Sequence, residues 1–226
     1  MLGYFIVAGL LSLVGVYVGA RLRSKFKKYS RLPNTAGMTG REVAEAMLRH
    51  YNISDVQITQ GRGMLTDHYN PAKKVVSLSP EVYQGRSIAS AAVAAHECGH
   101  AVQHATNYSM LQVRSSLVPI VQFSANIQQW VLLAAFMTIG SMPSVMLLAI
   151  AVFGITALFS FVTLPVEFDA SKRALAWLDN SQVATGEEYS GAKDALWWAA
   201  MTYVSAALSA LVMLLYLVLR YMSAGD

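Results

Sequence analysis

His96 and His100 stand four residues apart, with Glu97 between them, in the run Ala94-Ala95-His96-Glu97-Cys98-Gly99-His100-Ala101-Val102. The flanking residues are small, apolar and compatible with a helix. On a helix, positions i and i+4 share one face, so both imidazoles can grip one metal ion. Glu97 follows the first of them directly. A carboxylate there can take a proton from a metal-activated water, which is the core of zinc peptidase chemistry. Cys98 lies two residues from His96 and points to another face, so it reads as a small buried residue. It is the single cysteine, which excludes an internal disulfide. His104 continues the series, but three such positions climb about 12 Å along a helix. Bonds near ~2.1 Å cannot bridge that span, so His104 is expected outside the ligand set.

A peptidase zinc usually takes three protein ligands and keeps one position open. The candidate for the third is Glu167, in Leu164-Pro165-Val166-Glu167-Phe168-Asp169-Ala170-Ser171. Asp169 reads instead as an interfacial carboxylate. Whether Glu167 can meet the two histidines depends on what lies between them.

What lies between them is membrane. The chain has 226 residues, 55% hydrophobic and 13% charged, against about 25% charged in soluble domains. Apolar residues gather in four blocks of roughly 20, the length that crosses a bilayer core. They span 2–20, 118–139, 145–164 and 199–219. No basic stretch precedes the first block and a positive cluster follows it, so it reads as a retained helix, not a signal peptide. The expected fold is a mainly α membrane protein. It has about four transmembrane helices and a small cytoplasmic α+β lobe with a β-hairpin and the His-Glu-x-x-His helix. The expected parts are a first transmembrane helix (1–20), a catalytic lobe (21–117), a transmembrane hairpin (118–164), a segment with the third ligand (165–198) and a fourth transmembrane helix (199–220).

Charge orients these parts. Thirteen of the 17 Lys and Arg lie between Arg21 and Arg114, and none lies in the connection near Gly140-Ser141-Met142-Pro143. By the positive-inside rule the lobe and the 165–198 segment are cytoplasmic and both termini are outside. Two crossings between His100 and Glu167 return the chain to the side it left. The basic run from Arg21 to Lys28 adjoins a membrane helix, so the anionic inner leaflet is its expected partner, not nucleic acid.

Within the lobe, Thr39-Gly40-Arg41-Glu42 opens a helix through a capping box. Residues 52–59 read as a strand with Val56 and Ile58 on one face. Residues 64–69 and 74–78 read as a hairpin around Asn70-Pro71-Ala72-Lys73. Ser79 and Pro80 start a short helix. Ser87 caps the motif helix, which runs to about Ala105. The apolar run 88–95 is too short to span a bilayer and is expected inside protein. Residues 74–78 offer an edge strand on which an extended peptide could pair. Gln122, Asn126 and Gln129, at i, i+4 and i+7 on the second membrane helix, are expected to face protein or a wet cavity.

His96-Glu97-Cys98-Gly99-His100 followed by Glu167-Phe168-Asp169-Ala170 resembles the membrane-embedded zinc metallopeptidases with a Glu third ligand, which include HtpX-like and CAAX-processing peptidases. The overall plan is closer to the small bacterial neutral zinc metallopeptidases of the YugP type, nearly end to end. The resemblance implies one zinc ion held by His96, His100 and Glu167, with Glu97 as catalytic base. The related peptidases carry Asp four residues after the ligand Glu; here that place is Ser171. Either Ser171 or another carboxylate then orients a ligating histidine. The oxyanion stabiliser is open between Arg173, Tyr203 and His68.

The leading expectation is a zinc endopeptidase of the cell membrane, acting on protein or peptide substrates, membrane proteins among them, at the cytoplasmic side. One alternative is a site-2-type intramembrane protease, in which an Asp of a Leu-Asp-Gly segment is the third ligand. Leu178-Asp179 echoes it, but Asn180 follows and the segment is charged. Another is a non-catalytic scaffold with a structural metal, which would have no use for Glu97.

Overall fold

The computed structural model describes residues 2–138 and 141–223. Ile139 and Gly140, at the end of the second apolar block and in the expected outer connection, lie outside the described residues, as does the C-terminal Asp226. Seven α-helices and three short strands follow one another along the described chain. They are α1 (Leu2–Tyr29), α2 (Gly40–His50), β1 (Gln57–Gln60), β2 (His68–Asn70), β3 (Val75–Leu78), α3 (Pro80–Gln84), α4 (Ile88–Ala105), α5 (Ser109–Thr138), α6 (Pro143–Asn180) and α7 (Gly186–Met222). The protein is a mainly α membrane protein. Helices α1, α5, α6 and α7 are long and apolar enough to cross a bilayer, and α4 is not among them.

The chain forms two compact units. One takes Met1–Val18, Val113–Leu164 and Thr202–Asp226; the other takes Gly19–Gln112 and Pro165–Met201. Helix α6 has 38 residues, whereas about 20 suffice to cross a hydrocarbon core. Its residues to Leu164 belong to the first unit and those from Pro165 to the second.

The first unit is held by apolar packing of Leu132 and Ala135 on α5, Met146, Ala149 and Phe153 on α6, and Met213 and Leu217 on α7. Gln128 accepts a hydrogen bond from Thr156 Oγ1 at 3.0 Å. Among the described residues no protein covers Gln122, Asn126 and Gln129; all three are exposed. The phase of α5 explains the difference. Buried Ser124, Leu132 and Ala135 recur with Gln128 on one stripe at helical spacing, and the other three amides fall on the opposite side.

The second unit is built around α4. Fourteen of its 18 residues are buried, so it is apolar nearly all round, as a core helix must be. Its small residues let neighbours approach from several directions. Val43, Ala44 and Met47 of α2 join the same core, as do Ala174, Trp177 and Leu178 of α6. The capping box at Thr39 and Glu42 forms as the sequence predicts. Ser87 caps α4 by accepting from the Ser90 amide. Ser79 occupies the N-cap position of α3, yet its side chain makes no cap bond; its hydroxyl donates to Asp67 Oδ2 instead.

The strands form one sheet in the order β1-β3-β2. β2 and β3 are the expected hairpin, antiparallel with Tyr69 opposite Val76. β1 pairs with β3 in parallel, Ile58 beside Val76. β3 is therefore the central strand, and the expected free edge at 74–78 does not exist. Its buried Val76 and Leu78 put it in the core, and a strand buried there takes partners on both sides.

Candidate metal centre

Helix α4 brings His96 and His100 one turn apart, their ring centroids 4.8 Å from one another. Glu167 enters from α6. Its carboxylate Oε2 lies 3.3 Å from His96 Nε2 and 3.6 Å from His100 Nε2. Three ligand atoms, one from each residue, fall within 4.8 Å of one another. Ligand bonds of ~2.1 Å in a tetrahedron imply donor separations of about 3.4 Å. The two nitrogen–oxygen distances match that edge. The donor set, two imidazole nitrogens and a carboxylate oxygen, is also one that zinc accepts. These residues therefore fit a zinc ion.

The approach of the two helices rests on Gly99. A Cβ at that position would sit 2.5 Å from the Ala170 carbonyl oxygen, closer than any side chain tolerates. The backbone of α6 thus lies directly on α4 inside the motif. Ala170 is one turn beyond Glu167, so the same contact sets how far the carboxylate reaches.

Each imidazole is also held from behind. His100 Nδ1 is 3.0 Å from Gln103 Oε1. The Gln103 amide nitrogen donates to the Val166 carbonyl at 2.8 Å and to Asp169 Oδ2 at 2.8 Å. Both of those partners accept only, so the amide cannot be turned round. Its oxygen must then accept, and His100 carries its proton on Nδ1. Nε2 is then the nitrogen that faces the Glu167 carboxylate: in the imidazolium it donates a proton there, and once that proton is lost it offers its lone pair to a metal. Ser171 Oγ stands 3.1 Å from His96 Nδ1 and can fix the same tautomer there. Asp169 is held in turn by Arg173 Nε at 2.6 Å, and the Arg173 guanidinium lies over the Tyr108 ring.

The question of who orients the histidines thus has two answers. Ser171 serves His96, and Gln103, backed by Asp169, serves His100. Gln103 was not singled out by the sequence, though it carried a signal. It is a fully buried amide three residues after His100, on a helix otherwise made of small and apolar residues.

Burial by itself would raise the pKa of Glu167. Hydrogen bonding from His100 and His96 outweighs that and holds the carboxyl well below the usual range. Burial would lower His100, but its bond to Glu167 turns the shift upward. Protons and a metal compete for the same lone pairs, so binding a metal here releases protons.

Glu97 is buried and lies outside the three-donor cluster. It makes no hydrogen bond or ion pair among the described residues. Its charge is felt at both His100 and Cys98. Cys98 faces the other way, toward the Ala44 carbonyl of α2 at 3.7 Å, and burial raises its thiol far above the ordinary range. His104 is outside the cluster, as its spacing predicts; its Nδ1 meets the Tyr69 hydroxyl at 2.8 Å. Of the three oxyanion candidates, Arg173 is engaged by Asp169. His68 is exposed and its ring meets the Thr66 carbonyl, and Tyr203 belongs to the other compact unit. Asp179 is exposed near the end of α6, outside the donor cluster.

Comparison with known proteins agrees with this chemistry. A family described as "Putative neutral zinc metallopeptidase" matches residues 4–222. The chain is 39% identical over 206 residues to "Putative membrane protease YugP" of Bacillus subtilis (strain 168), and the match covers 91% of each chain. No solved structure matches.

Two substitutions test what sets the centre. Gly99→Ala is expected to push α6 off α4 and to abolish zinc retention while leaving helical content by circular dichroism close to native. Full occupancy would show that the helix contact does not position the donors. Gln103→Leu keeps the volume but removes the amide between His100 and Asp169. Zinc affinity, measured by competition with a chelator, should fall about 10–100-fold; an unchanged affinity would refute the orienting role.

Proposed function

Because the chain belongs to the neutral zinc metallopeptidase family, we propose that it is a zinc-dependent membrane endopeptidase holding one ion on His96, His100 and Glu167. The observation that carries this reading is the match of the 3.3 and 3.6 Å donor separations to a tetrahedral zinc site, with Glu97 next in sequence to one donor. When bound, zinc lowers the pKa of water and polarises a carbonyl oxygen.

The chain's own residues do the rest. Glu97, with no partner of its own among the described residues, accepts the proton of the attacking water. It then delivers that proton to the amine nitrogen as the peptide bond breaks, the two duties of one acid–base group. His96 and His100 keep their Nε2 lone pairs toward the centre because Ser171 and Gln103 occupy Nδ1. Burial of Glu167 keeps water from competing for its carboxylate.

The site-2 alternative lacks a donor, since Asp179 is exposed and outside the cluster. A purely structural metal would leave a buried carboxylate at 97 without a task. Glu97→Gln separates the readings. It is expected to retain zinc and fold while peptidase activity on casein falls about 10²-fold or more. Activity within a few-fold of the parent would place the base elsewhere, and loss of zinc would make Glu97 a ligand.

The excess of Lys and Arg between Arg21 and Arg114 supports a cell-membrane location with this centre on the cytoplasmic side. Single cysteines at Lys73 and Ser141 in a Cys98→Ala background test it. In intact cells an impermeant maleimide should label position 141 and spare 73. The reverse pattern would put the centre outside.

A further inference from the structure

The basic end of α1 has two faces with different fates. Arg21, Lys25 and Lys28 engage protein. The Arg21 guanidinium lies over the Trp198 ring at 4.9 Å. Lys25 Nζ pairs with Asp194 at 2.6 Å, and Lys28 lies over the Tyr29 ring at 5.0 Å. Arg23 and Lys27, at i and i+4, turn the other way, and Arg31 follows two residues past the end of α1. All three are exposed, and their side chains make no hydrogen bond or ion pair among the described residues. Yet they are not dispersed in solvent. Together with Arg86, itself paired with Glu42 at 3.3 Å, they line one cleft of about 900 Å³, in which Glu81 is the single carboxylate among the described lining residues.

The rest of the lining is unlike a site for a small soluble anion. Phe26, Pro33, Met64 and Leu65 contribute apolar surface. Met64 is 66% and Leu65 42% exposed, at the tip of a turn in which Gly63 and Leu65 both take positive φ. That is a built turn presenting two large apolar side chains beside four cations. Phe26 is buried and fixes the helix side of the cleft.

The position along α1 selects among ligands. Arg23 and Lys27 follow Ala20, the end of the apolar block, by about 4–11 Å of helix rise. The headgroup layer on each side of a bilayer is roughly 5–8 Å deep. Side chains on a helix lean toward its N-terminus, here back toward the apolar block. Arg23 Nη1 does so, passing within 3.7 Å of where a Cβ on Gly19 would be. Cations at that depth, above an apolar wall, match a phosphate with the first methylenes of a lipid attached.

We propose that this cleft is a binding site for the phosphate-bearing headgroup of an anionic phospholipid. Arg23, Lys27 and Arg31 contact the phosphate, and Met64 and Leu65 rest against the acyl end of the headgroup. The site is separate from the metal centre and does not depend on the peptidase reading.

Native mass spectrometry of the full-length protein in detergent, titrated with phosphatidylglycerol or phosphatidylcholine, tests it. The native protein should bind a first phosphatidylglycerol about tenfold or more tightly than phosphatidylcholine. The triple variant Arg23→Gln, Lys27→Gln, Arg31→Gln should lose that preference while retaining native helical content by circular dichroism, which reports folding. A control with the same charge change at exposed positions elsewhere, Arg49→Gln, Lys73→Gln, Lys193→Gln, should keep it. The charge-conserving pair Arg23→Lys, Arg31→Lys should keep it too. Preference surviving in the first triple variant, or lost equally in the control, would overturn the site in favour of diffuse charge. Displacement of the lipid by equimolar inorganic phosphate or by a polyglutamate peptide would overturn the lipid assignment in favour of a free anion or an acidic protein segment.

Discussion

The contact between Gly99 and the Ala170 carbonyl is the constraint on which the centre depends. Two histidines at i and i+4 are inexpensive to build, because one helix supplies both. The third donor is not, since it comes from another helix whose backbone must approach closely enough for a short carboxylate to reach. Any side chain at position 99 would hold that backbone off. The motif therefore contains its own docking surface, and α4 is made of small residues around it for the same reason.

Bringing a carboxylate between two imidazoles out of water is costly, and the structure offsets the cost through directional bonds. Glu167 is stabilised as the anion by the histidines it faces. The histidines are fixed from behind by Ser171 and Gln103. Gln103 is fixed by Val166 and Asp169, and Asp169 by Arg173. Four of these five supporting residues, Val166, Asp169, Ser171 and Arg173, lie on α6. The helix that brings the third donor thus also brings the groups that orient the other two. The work behind the two imidazoles is divided between a hydroxyl and an amide backed by Asp169.

The same economy appears in the long helices. α6 runs well past the length a bilayer needs, and its extra turns carry the donor and its supporting network. α1 behaves likewise, with its last turns dividing cations between a protein-facing stripe and an open cleft. Apolar blocks and polar chemistry share continuous helices in this chain, with no loop between them.

Much of this was legible in the sequence because it is local or periodic. The i, i+4 histidines, the capping box at Thr39, the cap at Ser87 and the four apolar blocks depend on residues close along the chain. The two long apolar helices between His100 and Glu167 needed only a count of blocks. What stayed hidden depends on pairing across distance. β3 lies in the middle of its sheet because β1 joins it in parallel, and parallel pairing leaves no turn signature to read. Gln122, Asn126 and Gln129 repeat at helical spacing, but a repeat does not say which face a neighbour covers; packing on Leu132 and Ala135 chose the other one. Gln103 took its role only once Asp169 stood beside it, 66 residues further on. Residue spacing determined which groups could share a face. Only the meeting of α4 and α6 decided which atoms lie within bonding reach, because that distance is set by the side chains between two helices and not by the chain that links them.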